Sequence, residues 1–117
     1  TFTGEQTPHE VAQWMQESDC FLFFSRYENA PVVLSECLAC GLPIISSHAG
    51  GIPEMVDDTC GILVPSHDEN ALAKAMKDMI SNHNNYSTEQ IRKHGKQYTY
   101  HVVGSKLSEI YKSIVRV

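Results

Sequence analysis

Short apolar runs alternate along this chain with longer amphipathic stretches, and this alternation constrains the fold more than any other feature of the sequence. The runs occupy residues 20–24, 43–46 and 61–64. Each is too short for a buried helix, and consecutive apolar positions are typical of a strand covered on both faces. The amphipathic stretches between them can supply the crossover helices that parallel strands need. The sequence therefore predicts an α/β domain with a parallel sheet.

Capping residues predict where the helices begin. Thr7, Pro8 and Glu10 form a capping box with proline at the first helical position, which predicts a helix ending near Glu17. Gly41 is a typical C-terminal residue for a helix that begins at residues 29–31. Apolar spacing and further caps predict three more helices. One begins at residues 66–69, one extends over residues 88–94, and one lies near residues 98–115. We expect the last helix to pack back onto the domain as a tail.

Length and charge exclude several classes of protein. A chain of 117 residues suffices for one compact domain but not for two ordinary ones. The longest apolar run, residues 20–24, is far shorter than the about 20 residues of a membrane span, and no signal-peptide pattern opens the chain. Lys and Arg do not cluster with aromatic residues, so we expect no nucleic acid partner. The basic residues after position 73 are scattered, which favours a solvated surface over one that rests on an anionic membrane.

Four cysteines allow a redox or metal site to be considered. Cys37 and Cys40 form a CxxC pair, but Cys20 and Cys60 do not supply the second close-spaced pair of a zinc site. A redox pair normally lies at a helix N-terminus, whereas this pair lies late in a predicted helix. We therefore expect buried, unreactive thiols in a reducing compartment, and no metal.

The candidate binding site follows the first predicted strand. In parallel α/β sheets, ligands bind at the carboxyl ends of the strands. Ser25 ends the strand, and the helix that begins at Pro31 should present free N–H groups from Val32, Val33 and Leu34. Such a helix N-terminus carries a partial positive charge and is suited to a phosphate.

Two carboxylates accompany this helix N-terminus. Glu28 lies in the loop before the helix, and Glu36 lies about one turn into it, where its side chain can lean back toward the same end. Carboxylates would repel a phosphate but accept hydrogen bonds from vicinal hydroxyls. The pattern fits a ligand with phosphate in the middle and a hydroxyl-rich ring at each end, as in a nucleotide sugar. The alternative is that Glu28 caps the helix and Glu36 is a solvated surface residue.

The same stretch resembles the signature of the family 4 glycosyltransferases, which are retaining enzymes of the GT-B fold. The shared features, in the family's order, are Ser25, the Glu-x7-Glu pair Glu28 and Glu36, Ala39-Cys40-Gly41-Leu42-Pro43-Ile44-Ile45, Gly50-Gly51-Ile52-Pro53-Glu54 and Gly61-Ile62-Leu63-Val64. Phe2-Thr3-Gly4 and Asp19 also match. The resemblance implies a Rossmann-like parallel sheet flanked by helices, and it implies that residues 1–117 are the later two-thirds of the C-terminal, donor-binding domain.

The resemblance also implies an activity for the intact protein. This is transfer of a hexose from a UDP-, GDP- or ADP-sugar to an acceptor hydroxyl with retention of configuration, without a metal or other cofactor. Glu28, the residue nearest the chemistry, would hold the sugar hydroxyls beside the reacting carbon. Glu36 would bind the nucleotide ribose. Backbone contacts to the sugar and diphosphate are implied for Asn29, Ala30, Pro31, Val32 and Val33.

Several alternatives stay open at this point. Glu28 could instead act as a nucleophile, as carboxylates do in retaining hydrolases. The chain could be a nucleotide-sugar-binding module without catalysis, or a flavodoxin-like signalling domain, although the paired acidic residues and the lysine of the latter are not found. Gly50 and Gly51 are expected to form a tight turn beside the site rather than to touch ligand.

The resemblance has further implications for what lies outside this segment. The family holds the donor phosphates with an Arg and a Lys, and Arg26, the first basic residue here, is not at a matching place. A carbohydrate or glycolipid acceptor would bind an absent N-terminal domain, so the segment alone should be inactive. The implied location is cytoplasmic, either free or peripheral at the inner face of the membrane.

The family's strand order, 3-2-1-4-5-6, implies that only strands 3 to 6 are present here. Phe2 and Thr3 would form a short strand without its neighbours, and the strand at Phe21 would expose a bare apolar edge. Such an edge invites pairing with a second copy, so we expect self-association or a frayed N-terminus.

Overall fold

The centre of the molecule is a three-stranded parallel sheet. The computed structural model describes residues 1–115. Its strands are β1 (Phe21–Phe23), β2 (Ile44–Ser47) and β3 (Gly61–Val64), in the spatial order β1-β2-β3. Both pairs are parallel, with Phe21 opposite Ile44 and Ile44 opposite Gly61. The predicted α/β class with a parallel sheet is confirmed.

Helices connect the strands and extend the chain beyond them. They are α1 (Pro8–Glu17), α2 (Val32–Cys40), α3 (Ile52–Met55), α4 (Glu69–Asn82), α5 (Thr88–Gly95) and α6 (Tyr100–Ile114), with 3-10 turns at His83–Asn85 and Lys96–Tyr98. The predicted capping box of α1 is present, since Thr7 and Glu10 each accept from the other's backbone N–H. Gly41 ends α2 in the left-handed conformation, as predicted. None of the helices within residues 1–115 is long and apolar enough to cross a membrane.

The core lies in two layers, one on each face of the sheet. On one face, α2 and α5 contribute Leu34, Leu38 and Ile91, which pack in one cluster with Ile44 of β2. On the other face, the smaller cluster joins Met79 of α4 to the second face of β2. All four residues of β2 are buried, so this strand has the covered faces that its apolar sequence predicts.

The first strand differs from its prediction in one respect. Among the described residues β1 pairs with β2 alone, so it is an edge strand and not a central one. Its Leu22 is 44% exposed, whereas Phe21 and Phe23 are half-buried and stack with ring centroids 6.1 Å apart. The predicted bare apolar edge is therefore confirmed, and the predicted full cover on both faces is wrong. Too few elements flank β1 to cover both of its faces.

Both ends of the described chain depart from expectation. Phe2 and Thr3 form no strand, and Phe2 is fully exposed, because no described strand lies beside them to complete a hydrogen-bonded ladder. No residue of α6 is buried, so the predicted packing of this helix onto the domain is not observed. Its apolar stripe, which includes Leu107 and Ile110, stays about half exposed. Thr99, in extended conformation before α6, sets the direction in which the helix leaves the domain.

We expect the 117-residue chain to self-associate through the open edge of β1, because its outward N–H and C=O groups lack strand partners. Light scattering after size-exclusion chromatography should show a dimer or larger species, and Leu22→Lys should convert it to a monomer. Leu107→Lys on α6 is the matched control, since Leu107 is exposed to a similar degree, 48% against 44%. A wild-type monomer, or dissociation by Leu107→Lys alone, would contradict the prediction.

Candidate functional site

The candidate site lies where the chain leaves the carboxyl ends of β1 and β2. A cleft of about 420 Å³ opens there between the loop that follows β1 and the turn that follows β2. Its lining residues are Arg26, Tyr27, Glu28, Asn29 and Gly50. This is the edge at which ligands of parallel α/β sheets bind, so the structure places Glu28 and Asn29 at the predicted position in the fold.

Two buried serines of β2 fix the start of the loop. The Ser47 hydroxyl donates to the carbonyl oxygen of Ser25 at 2.5 Å and accepts from the Ser25 N–H at 3.0 Å. The Ser46 hydroxyl donates to the carbonyl oxygen of Phe23 at 2.8 Å. The sequence did not lead us to predict that Ser46 and Ser47 hold this loop. Hydroxyls at buried strand positions nevertheless indicate such a role, because buried polar groups need hydrogen-bond partners.

A glycine turn holds the other side of the cleft against the loop. The Gly51 N–H donates to the carbonyl oxygen of Asn29 at 2.7 Å. Gly50 has a φ of +52°, and a Cβ there would lie 1.5 Å from the carbonyl oxygen of Glu28. Only glycine fits this approach, so the predicted role of Gly50 and Gly51 in a tight turn beside the site is confirmed.

The N-terminus of α2 begins next to this loop and lacks a side-chain cap. Pro31 is its N-cap residue and makes no side-chain hydrogen bond. Of the described helices with eight or more residues, the other four are each capped by a side chain, namely Thr7, Asp68, Ser87 and Thr99. The suggestion that Glu28 caps α2 is therefore wrong. The backbone N–H groups at this helix end that make no bond within the first turn are left for solvent or a ligand.

Two of the three predicted free N–H groups remain. The Leu34 N–H donates to the carbonyl oxygen of Pro31 at 3.1 Å, so the prediction for Leu34 is wrong. A 3-10 type bond in the first turn has used this donor. The N–H groups of Val32 and Val33 have no hydrogen-bond partner within residues 1–115. The side chain of Val32 is exposed and that of Val33 is half-buried against the core.

The two predicted carboxylates do not line the same cleft. Glu28 is half-buried in the cleft wall, whereas Glu36 is exposed on α2 outside the lining residues. Ala30, between the cleft and α2, is exposed. A ligand that touches both carboxylates would have to extend from the cleft across the start of α2, as a molecule with two separate rings can.

Arg26 and Tyr27 also line the cleft, although our sequence analysis did not place them there. Arg26 is the only basic residue among the first 73. It brings a cation beside Glu28, so the cleft contains one group of each charge. Tyr27 is 88% exposed at the rim. No motif position pointed to either residue, and only the path of the loop brings them into the lining.

The cysteines are free thiols whose environments make them weak nucleophiles. Burial, together with the neighbouring Cys40 and Glu36, raises the pKa of Cys37 to about 12. Burial also raises the pKa of Cys20 to about 11. Since the thiolate is the reactive form, the raised pKa values of these two thiols make them weak nucleophiles near neutral pH. Cys37 and Cys60 are buried as predicted, whereas Cys20 and Cys40 are only half-buried.

The family model for glycosyl transferases group 1 matches residues 1–82 of this chain. The matched region includes the whole of the cleft, the N-terminus of α2 and all three strands.

Curated relatives extend the similarity to the rest of the chain. The putative colanic acid biosynthesis glycosyltransferase WcaL of Escherichia coli K12 is 39% identical over 80 residues, which are 62% of this chain and 20% of WcaL. The N-acetyl-alpha-D-glucosaminyl L-malate synthase of Bacillus anthracis is 30% identical over 120 residues, which cover 98% of this chain and 31% of the synthase. The D-inositol 3-phosphate glycosyltransferase of Corynebacterium kroppenstedtii is 28% identical, with coverage of 98% and 26%. The chain thus spans between 20% and 31% of the length of these relatives.

Solved structures are similar to this fold. Sucrose-phosphate synthase from Thermosynechococcus elongatus superposes with a TM-score of 0.87 at 24% identity, over 97% of this chain and 30% of that one. HepE from Anabaena, in complex with UDP, superposes with a TM-score of 0.70 at 24% identity, over 86% and 29%. These likenesses confirm the predicted Rossmann-like fold as part of a GT-B architecture.

Gly50→Ala should destabilise the protein by about 2 kcal/mol or more, because the new Cβ would overlap the Glu28 carbonyl oxygen and the φ is positive. Urea unfolding followed by circular dichroism measures the change. Gly104→Ala is the control, since a Cβ at Gly104 meets nothing within 4 Å and alanine favours the helix by up to about 1 kcal/mol. Equal stability of the two variants would contradict the structural role of Gly50.

Ser47→Ala should cost about 1–3 kcal/mol of unfolding free energy, because it leaves the N–H and C=O of Ser25 without this partner. Ser113→Ala removes an exposed hydroxyl that donates only to Ile110 within α6, and should change stability by less than about 0.5 kcal/mol. Chemical denaturation of both variants provides the comparison. If the two substitutions cost the same, Ser47 does not hold the loop.

Proposed function

The chain belongs to the glycosyl transferases group 1 family, and on that premise we propose that it forms part of the donor site of a hexosyltransferase. The longer protein would move a hexose from a nucleoside diphosphate sugar to an acceptor hydroxyl and retain the anomeric configuration. The observation that carries this proposal is the uncapped N-terminus of α2 directly after a cleft that contains Glu28.

The helix N-terminus supports a diphosphate ligand. The N–H groups of Val32 and Val33 point out of α2 without partners among the described residues, and the helix dipole adds a partial positive charge. Arg26 adds a full positive charge in the same cleft. Together these groups suit the diphosphate. The backbone of Asn29, Ala30 and Pro31, in the loop before α2, would contact the sugar and the diphosphate.

The two carboxylates support recognition of the two sugar rings. Glu28, which lines the cleft, would accept hydrogen bonds from hydroxyls of the transferred sugar. Glu36, which is exposed on α2 outside the cleft, would accept them from the ribose at the other end of the donor. A donor whose diphosphate lies between two rings has a hydroxyl-bearing ring for each carboxylate.

The chemistry separates charge. The bond between the anomeric carbon and the diphosphate oxygen breaks, the sugar gains oxocarbenium character, and the acceptor oxygen forms the new bond as it loses its proton. Donors already directed at the departing diphosphate lower this barrier. Glu28 contributes by holding the sugar near the reacting carbon, and in this proposal it is not the nucleophile, because its place in the family pattern indicates sugar binding.

The remaining parts of the proposal concern the whole protein. The acceptor, a carbohydrate or glycolipid, would bind an N-terminal domain outside this chain. The donor would bind without a metal ion, as the family resemblance implies. The location would be cytoplasmic, either free or peripheral at the inner face of the membrane.

Titration calorimetry with UDP, GDP and ADP tests the donor site on the 117-residue chain. We expect one nucleotide to bind, and Glu36→Ala to weaken it about tenfold or more, because a charge-assisted hydrogen bond to the ribose is lost. Glu28→Gln should leave the free nucleotide unaffected but weaken the corresponding nucleotide sugar. Glu109→Ala, on exposed α6, is the control for loss of a surface carboxylate.

The crossed design separates the two assignments. If Glu36→Ala binds the nucleotide as tightly as wild type, Glu36 does not contact the ribose. If Glu28→Gln weakens the binding of the nucleotide and of the nucleotide sugar equally, Glu28 does not contact the sugar. If no nucleotide binds, groups outside this chain dominate the affinity, and the same variants must be compared in the longer protein.

A further inference from the structure

Three side chains with metal-binding atoms meet at the edge of the sheet opposite the cleft. They are Asp57 and Cys60, between α3 and β3, and His94 on α5. Their ligand atoms all lie within 4.8 Å of one another. Cys60 directly precedes the first residue of β3, so the group lies at the amino ends of the strands, whereas the cleft lies at the carboxyl ends.

The distances within this group suit one small cation. His94 Nδ1 lies 3.5 Å from Asp57 Oδ2, and Cys60 Sγ lies 3.7 Å from Asp57 Oδ1. Ligands held at zinc bond lengths in a tetrahedron are about 3.3–3.8 Å apart. These two separations, which end on different oxygens of Asp57, fall in that range, and Cys60 and His94 lie within 4.8 Å, so modest side-chain shifts would bring all three groups onto one ion.

The orientation of His94 is a second, independent indication. Its Nε2 lies 2.8 Å from the carbonyl oxygen of Met55, which can only accept, so Nε2 carries a hydrogen. Nδ1 then faces the Asp57 carboxylate, and a cation between the two atoms, either a proton or a metal ion, would join them. A metal-ligating histidine commonly donates its other N–H to a backbone carbonyl in this way.

A proton on His94 would also satisfy Asp57, and the Cys60 sulfur already accepts a hydrogen bond from the Asp57 N–H at 3.3 Å. Cys60 is completely buried, and its sulfur is near the Met55 carbonyl and both the carbonyl and the carboxylate of Asp57. A divalent cation would bind the side chains of Asp57, Cys60 and His94 together. The negative charges of the thiolate and the carboxylate would balance the two positive charges of the ion. Imidazole and thiolate together favour zinc over calcium or magnesium.

We propose that Asp57, Cys60 and His94 bind one zinc ion that joins α5 to the segment between α3 and β3. On binding, the Cys60 sulfur forms a bond to zinc and releases its proton to solvent. The half-exposed Asp57 side chain leaves a path for the ion and room for a water as fourth ligand.

The thiol is protonated before the ion arrives. Burial raises the pKa of Cys60 to about 11. Hydrogen bonds from Thr59 lower the pKa of Asp57, so the carboxylate is ionised at neutral pH. Zinc binding should therefore release a proton from Cys60, and affinity should fall as the pH is lowered.

The ion would act on the fold and not on the donor. α5 packs against α2, with Gly95 close to the Leu38 side chain and Arg92 donating to the Cys40 carbonyl oxygen at 3.3 Å. Fixing α5 would therefore stabilise the helix whose other end forms the donor site.

Titration of the metal-free 117-residue chain with Co²⁺, and then with Zn²⁺, tests the proposal. We expect one Co²⁺ per chain, visible bands of a tetrahedral site, a near-ultraviolet thiolate-to-cobalt band, and displacement by zinc. Cys60→Ser should abolish the thiolate band, and His94→Gln should weaken Co²⁺ binding at least tenfold. Cys40→Ser and His83→Gln are matched controls outside the group and should behave as wild type.

Wild-type chain that is folded by circular dichroism but shows no thiolate band would overturn the proposal without any variant. A band that survives in Cys60→Ser and disappears in Cys40→Ser would overturn it as well. Proton release on zinc binding supplies a second readout: we expect one proton per ion from wild type in weak buffer and none from Cys60→Ser. No proton release from the wild-type chain on zinc binding would count against the proposal too.

Discussion

The pairing of β1 with β2, reinforced by two buried hydroxyls, is the interaction on which the rest of this structure depends. The strands share only three paired positions, so backbone bonds alone give a short ladder. Ser46 reinforces the last pair by donating to the backbone of Phe23, and Ser47 extends the attachment past it by binding the backbone of Ser25. Since the loop of the cleft begins at Ser25, its position relative to β2 is set inside the core and not at the surface.

The cleft is accordingly built from two backbone segments in direct contact. One bears Glu28 and Asn29, the other Gly50 and Gly51, and they meet through a backbone hydrogen bond and a glycine approach. The direction of α2 follows from the same contact, because Pro31 comes two residues after Asn29. Few side-chain interactions are thus needed to bring Glu28, the N-terminus of α2 and the cleft to the same edge of the sheet.

Local signals in the sequence were enough for most of the fold. The cap at Thr7, the left-handed Gly41 and the apolar runs all act over a few residues, so spacing alone predicts them. The predictions fail where contacts between distant segments, or the path of a loop, determine the structure. The amide of Leu34 is taken by a turn that spacing does not reveal, Arg26 enters the cleft through the loop path, and α6 meets no surface that would bury its stripe. Asp57 and His94 are 37 positions apart, so no motif could have joined them.

The way the cleft is held has a consequence for how such a site diversifies. Its backbone is fixed by buried serine hydroxyls, main-chain bonds and glycines, and none of these contacts uses the exposed side chains of the rim. The rim side chains, Arg26, Tyr27 and Asn29, are exposed and contribute little to the core. Exchanging them alters the shape and charge that a ligand meets without loosening the support beneath. In a scaffold of this kind, the residues that maintain the fold differ from the residues that contact the ligand. Single substitutions at the rim can therefore change which ligand is recognised while the protein still folds.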